Sequence, residues 1–228
     1  GGGGALRERL EGEGDLFLKP AAGSQGRGAL RIRREADGRY SACGRNGRNE
    51  PIRAEFRDFS SLAAWLSRRT AGRKYIVQPY LALVSKEGDA FDIRSLVQKN
   101  ARGFWRLTGM AVRKGRPGSL TSNLHGGGAA LPTNPFLTEQ FGEDEASAMI
   151  LTLRRLSMDI PPVLESSYGR LVELGLDFGI DRRGRIWILE VNCKPGRAAF
   201  SVLSDPKQHE RSVYSPLWYA HFLLANGG

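Results

Sequence analysis

Two apolar stretches, Glu173 to Ile180 and Arg185 to Asn192, flank the turn Asp181-Arg182-Arg183-Gly184. Strand-like runs joined this closely fold back on each other as an antiparallel hairpin, and the pairing decides which residues share a face. With the turn centred between Arg182 and Arg183, Asp177 is expected opposite Ile188, and Glu190 and Asn192 on the same face as Asp177. Two carboxylates and an amide oxygen form a hard-oxygen set that suits Mg²⁺, which takes one or two carboxylates beside phosphates and water. Leu174, Leu176, Phe178, Ile186 and Leu189 make the surroundings apolar, so carboxylates there need a cation. The same segment also reads as a solvated polar face on an edge hairpin, and a bulge would shift the register.

A second constraint is the run Lys19-Pro20-Ala21-Ala22-Gly23-Ser24-Gln25-Gly26-Arg27-Gly28, which follows a strand at Asp15 to Pro20. Gly23, Gly26 and Gly28 let backbone N–H groups turn toward a phosphate, with Ser24 and Gln25 between them and the Lys19 ammonium at the strand end. A β-like segment, Ala29 to Arg33, follows where a dinucleotide-binding fingerprint needs a helix, and no Gly-Lys-Ser/Thr closes the loop as a Walker motif would. An ordinary hairpin turn has the same composition. Further along, Asp92 and Arg94 alternate on one face of a strand, Arg113 ends the next, and Ser122-Asn123-Leu124-His125-Gly126-Gly127 forms a loop. Arginines so placed suit phosphate, although each also suits a surface ion pair, and His125 reads as a loop hydrogen-bonder.

The remaining periodicities predict a strand at Arg39 to Ala42 and a helix at Ser60 to Arg69 capped by Asp58 or Ser60. Strands are expected at Lys74 to Leu83, Phe91 to Gln98 and Phe104 to Arg113, the three forming an antiparallel sheet. Two helices, Glu143 to Asp159 and Pro161 to Leu174, should be parted by Pro161-Pro162, and an aromatic helix is expected around Pro216 to Leu224. The fold class is α+β, with two sheets facing each other across a cleft. The chain has 228 residues, enough for two small lobes: residues 15–80 as the small lobe with the glycine-rich loop, and 81–228 as the large lobe with the metal site. Residues 1–14, opening on Gly1 to Gly4, are expected to be a flexible segment.

Composition narrows the partners. Thirty-four basic against 24 acidic residues give a net charge of +10, which suits anionic ligands. Phe104-Trp105 and Trp218-Tyr219 lie in apolar segments rather than among Arg and Lys, so no nucleic-acid partner is expected. No apolar run reaches the ~18 residues of a membrane span, and no signal-peptide pattern opens the chain. Cys43 and Cys193 are the only cysteines; a disulfide framework is not expected, and a cytoplasmic setting is.

Taken in order, these segments resemble the ATP-grasp superfamily over essentially the whole chain, and within it the YheC/YheD-like, endospore-coat-associated family. The resemblance rests on Phe-Leu-Lys-Pro (17–20), Tyr-Ile-Val-Gln-Pro-Tyr-Leu (75–81), Phe-Asp-Ile-Arg-Ser-Leu-Val-Gln-Lys-Asn (91–100) and Glu-Leu-Gly-Leu-Asp-Phe-Gly-Ile-Asp (173–181). Ser-Asn-Leu-His-Gly-Gly (122–127) and Glu-Val-Asn-Cys-Lys-Pro-Gly (190–196) also look like segments of the ribosomal-protein glutamate ligases. It implies two α+β lobes enclosing ATP, the glycine-rich loop and Lys19 on its phosphates, and a hinge strand with Gln78 and Tyr80 at the adenine. Asp92 would lie near ATP, Arg94 and Arg113 near phosphate and acyl phosphate, and Asn123 near the γ-phosphate. Asp177, Glu190 and Asn192 would hold Mg²⁺, or Mn²⁺ in its place. The implied reaction is ATP-dependent ligation of a carboxylate to an amine through an acyl phosphate; the alternative is a catalytically silent nucleotide-binding scaffold associated with sporulation and spore-coat proteins. The domain that usually precedes the grasp lobes is expected to be absent, Pro79 stands where related ligases often carry an acidic residue, and Cys193 reads as structural.

Overall fold

The computed structural model describes residues 2–23, 26–118, 122, 127–201 and 206–226. Within them the chain divides into two compact units, Gly1–Leu81 and Ala82–Gly228.

The first unit opens with α1 (Gly2–Glu13), followed by β1 (Asp15–Pro20), β2 (Leu30–Arg34), β3 (Tyr40–Arg45), β4 (Pro51–Phe56), α2 (Phe59–Thr70) and β5 (Tyr75–Pro79). Its antiparallel sheet runs β4-β3-β2-β1-β5. Leu16, Leu18, Leu30, Ile32 and Ala42 point to one face and pack with Leu10, Leu62 and Leu66 of the helices. Asp58 caps α2, its Oδ1 accepting from the Ser61 N–H at 2.8 Å. The expected flexibility of residues 1–14 is corrected, since α1 occupies most of that stretch. Its four-residue spacing of Leu6 and Leu10 lays one side on the sheet, Leu10 being fully buried. Arg7–Glu11 and Arg9–Glu13 pair along its exposed side. Burial of one face outweighs the poor helix propensity of the glycines. Strand β5 is also shorter than the predicted Lys74 to Leu83, ending at Pro79, whose ring offers no N–H to a ladder.

The second unit contains β6 (Phe91–Lys99), β7 (Trp105–Lys114), β8 (Ala129–Pro132), α3 (Thr133–Phe141), α4 (Glu143–Tyr168), β9 (Glu173–Ile180), β10 (Ile186–Asn192), α5 (Ala198–Ser201) and α6 (Pro206–Ala225). Its antiparallel sheet runs β10-β9-β6-β7-β8. All nine residues of the central strand β6 are buried, because both faces are covered. One face carries Phe91, Ile93, Val97, Val112, Leu174, Leu176 and Phe178 against Phe136, Leu137, Met149 and Leu153 of α3 and α4. On the other, Leu96 and Ala111 meet Ala199 and Phe200 of α5.

The two helices predicted around Pro161-Pro162 are one, α4, with both prolines inside it. Each removes an intrahelical hydrogen bond, but Ala146, Met149, Leu153, Ser157 and Pro161 recur at helical spacing and are all buried. That continuous buried face holds the axis through the prolines. The helix stops at Gly169, with φ +78°, so Leu174 belongs to β9.

Candidate functional site

The hairpin β9–β10 decides which side chains reach the polar face of the large sheet. Its turn runs from Asp181 to Arg185, closed by Asp181 N–H to Arg185 O at 3.1 Å and Gly184 N–H to Asp181 O at 2.9 Å. Gly184 takes φ +76°, the left-handed conformation such a turn requires. The extra turn residue places Ile186 opposite Ile180 and Ile188 opposite Phe178. The predicted pairing of Asp177 with Ile188 is therefore corrected. A bulge at Leu189 then shifts the register again, so that Glu190 lies opposite Asp177 and Asn192 opposite Gly175. Before the bulge, Ile186 and Ile188 pair with core-facing residues; after it, Glu190 and Asn192 share the face of Asp177. The bulge re-aims the two polar groups, as bulges beside functional sites often do.

Four charged residues on β6, β7 and β9 interlock on that face. Asp92 lies opposite Arg113, and Arg94 opposite Asp177. Arg94 grips Asp177 in bidentate fashion, Nε to Oδ1 and Nη2 to Oδ2, the latter at 2.9 Å. Arg113 does the same to Asp92 at 2.6 and 2.7 Å, and its Nη2 lies 3.0 Å from Asp177 Oδ2. The Ser122 hydroxyl donates to Asp92 Oδ2. Asp92, Arg94 and Asp177 are each less than a tenth exposed. Burial pushes the Asp92 carboxyl above its ordinary pKa, against the pull of Arg113. For Arg113 burial opposes the charge, yet the carboxylates of Asp92 and Asp177 prevail and hold its pKa above the ordinary value. Gly175 lets Arg94 lie flat on the strand: a Cβ there would stand 3.2 Å from Arg94 Nη1 and 2.7 Å from the Pro195 Cβ.

Glu190 is exposed and Asn192 half-buried, and among the described residues no group of three or more His, Cys, Asp or Glu gathers as a metal cluster. The donor set fits Mg²⁺ nonetheless, because that ion usually takes one or two carboxylates and completes its shell with phosphate and water.

The small sheet has a polar face of its own. Lys19 pairs with Ile76 and Phe17 with Gln78, so Lys19 and Gln78 share the face opposite the core. Arg31 lies opposite Phe17 on that face, bound to Asp15 at 2.5 Å and stacked 3.8 Å from the centroid of Tyr80. Gly26 and Gly28 adopt φ +67° and +76°. Gly28 is also pressed close: a Cβ would meet the Tyr75 hydroxyl at 3.0 Å and Pro20 Cγ at 3.1 Å. Gly23 stands 3.8 Å from Pro20 by the same measure. Ser24, Gln25 and Asn123 lie outside the described residues, as does His125.

Sequence reasoning missed Ser122 and the Asp15–Arg31–Tyr80 stack. Ser122 acts from a loop, where no periodicity marks a contact. Arg31 was visible only as the charged member of an alternating strand. Cys193 is exposed, and both cysteines are free; burial pushes the Cys43 thiol up.

Comparison with known proteins agrees with this architecture. The family model described as YheC/D-like ATP-grasp matches residues 3–223. The chain is 32% identical over 216 residues to the endospore coat-associated protein YheC of Bacillus subtilis, covering 95% of this chain and 58% of that protein. It is 29% identical to the endospore coat-associated protein YheD of the same organism, covering 85% of this chain and 42% of the other. The chain thus spans about half the length of these relatives. Among solved structures it is similar to the C-terminal domain of K. lactis Pby1, an ATP-grasp enzyme, with 16% identity, TM-score 0.48 and 93% and 58% of the two chains covered. It is likewise similar to N5-carboxyaminoimidazole synthetase from Staphylococcus aureus complexed with ADP, with 10% identity, TM-score 0.49 and 93% and 43% covered.

Proposed function

Since the chain belongs to the YheC/D-like ATP-grasp family, with its α+β fold, we propose that it binds Mg-ATP and uses it to join a carboxylate to an amine. The observation that carries this reading is the buried lattice of Asp92, Arg94, Arg113 and Asp177, with Glu190 and Asn192 turned onto its face by the bulge at Leu189. Arginines fixed by carboxylates on a rigid sheet present guanidinium N–H groups in set directions, as recognition of a phosphoryl group requires.

In the proposed reaction a substrate carboxylate oxygen attacks the γ-phosphorus of ATP. The bond from that phosphorus to the β-phosphate oxygen breaks, and ADP leaves with its electron pair. An amine nitrogen then attacks the acyl carbon, inorganic phosphate departs and the nitrogen gives up a proton. Asp177, Glu190 and Asn192 would hold Mg²⁺, which would neutralise phosphate charge when bound. Arg94 and Arg113 orient and neutralise the transferring group, and Asn123 is assigned to the γ-phosphate. Lys19 and the loop from Gly23 to Gly28 hold the phosphates, Ser24 and Gln25 included, while Gln78 and Tyr80 position the base. Catalysis of this kind is chiefly positioning and electrostatics.

A second reading is a silent nucleotide-binding scaffold at the spore coat. It is favoured by the coat association of YheC and YheD, and by Asp177 already being bound to two arginines. Calorimetric titration of ATP with and without Mg²⁺, on wild type and Glu190→Gln, tests the shared premise. Metal-dependent binding that disappears in the variant is expected, and binding indifferent to both would overturn the site. ADP released only when an acid and an amine are supplied together identifies the ligase; binding without such release identifies the scaffold.

A further inference from the structure

A cavity of ≈ 380 Å³ opens in the second unit beside β7, between the starts of α3 and α6 and the middle of α4. None of the residues lining it belongs to the nucleotide and metal set. Strand β8 pairs with Ala111–Lys114, so among the described residues the edge of β7 from Leu107 to Met110 faces the cavity without a strand beside it. That stretch is held firmly from behind, because the bulged Thr108 donates to Gln98 Oε1 at 2.7 Å and Gln98 Nε2 donates to Glu173 and to the Ser212 carbonyl.

The lining is polarised. Leu107, Met110 and Ile150 supply an apolar side. Arg154 from α4 and Arg211 from α6 supply two guanidinium groups, with no carboxylate in the lining and no ion-pair partner for either arginine among the described residues. Thr133 and Asn134, the first two residues of α3, and Gln208 of α6 also line it. Pro132 precedes Thr133 and offers no side-chain cap, so among the described residues the N–H groups of Thr133 and Asn134 lack the side-chain acceptor a helix start usually has. The Thr133 side chain is buried, and its Oγ1 has no hydrogen-bond partner among the described residues. Two guanidiniums without an ion pair among the described residues and a helix start without a side-chain cap, in one lining, favour negative charge.

We propose that this cavity is a second binding site, for a small molecule carrying a carboxylate or phosphate group on an apolar body. The charged group lies between Arg154, Arg211 and the start of α3; the body lies against Leu107, Met110 and Ile150. The site is independent of the proposed nucleotide site and stands whether or not that reading does.

The test is calorimetric titration of the full chain with phenyl phosphate and with benzoate, two probes that share one apolar body. At least one is expected to bind, and the tighter of the two names the head group. The double substitution Arg154→Gln and Arg211→Gln should weaken that binding at least about tenfold through loss of charge-assisted hydrogen bonds. Both arginines are exposed, so the fold is kept. Lys19→Ala, which belongs to the proposed phosphate loop, should leave the binding unchanged. Failure of both probes to bind overturns the proposal, as does equal binding to the double variant or loss of binding in Lys19→Ala.

Discussion

At the scale of single residues, Asp177 and Glu190 share a face but not a role in stability. Asp177 is buried and gripped by Arg94 and Arg113, whereas Glu190 is exposed and has no ion pair among the described residues. Removing one partner of a buried pair strands the other charge, which typically costs 3–5 kcal/mol. Asp177→Asn is therefore expected to lower stability by about 3 kcal/mol in urea unfolding, with Glu190→Gln within about 0.5 kcal/mol of wild type. Equal stability of the two variants would contradict the lattice. The charge alternation of β6 was legible in the sequence, and Asp92 and Arg94 do share a face. Their partners were not, because Arg113 and Asp177 arrive from strands 21 and 83 residues away. Periodicity within one strand says nothing about which strand lies beside it.

At the scale of the element, the β9–β10 hairpin was visible, but its register was not. The predicted pairing failed because the turn holds an extra residue at Gly184, and Leu189, apolar like its neighbours, gives no sign that it bulges. The two shifts act in the same direction, so Glu190 and Asn192 reach the expected face by a route the expectation did not contain. Deleting Leu189, the unpaired residue, should straighten the strand yet leave Glu190 opposite Asp177 and Asn192 opposite Gly175. Circular dichroism should then show the secondary structure retained and, on the proposed reading, Mg²⁺-dependent ATP binding kept; loss of binding with the fold intact would contradict the register. Asp181 fastens the turn: its carboxylate accepts from the N–H of Arg183 and Arg185, from Arg185 Nε and from Trp187 Nε1. Burial acts to raise its pKa, but these donors prevail and hold it below the ordinary carboxylate value. A carboxyl depressed on folding contributes stability that is full above its unfolded pKa of ~3.9 and fades as pH falls through the folded value. Urea unfolding followed from pH 7 downward should show this acid loss in wild type and less of it in Asp181→Asn.

At the scale of the whole molecule, the described residues form two compact units with separate cores, and the α+β class was legible in the sequence. The helical start and the unbroken α4 were not, since tertiary burial overrode glycine and proline propensity in both. Limited proteolysis should cut first near Leu81–Ala82 and leave a resistant fragment beginning at the second unit; earliest cleavage inside either sheet would contradict the division. The lattice has a further consequence for assembly. Two guanidiniums and two carboxylates cancel, so this face is close to electroneutral before anything binds. A bare divalent cation arriving there would meet little uncompensated negative charge beyond Glu190. A polyanion would bring the missing counter-charge with it, so on the proposed reading metal and nucleotide would load as one neutralising unit rather than in sequence.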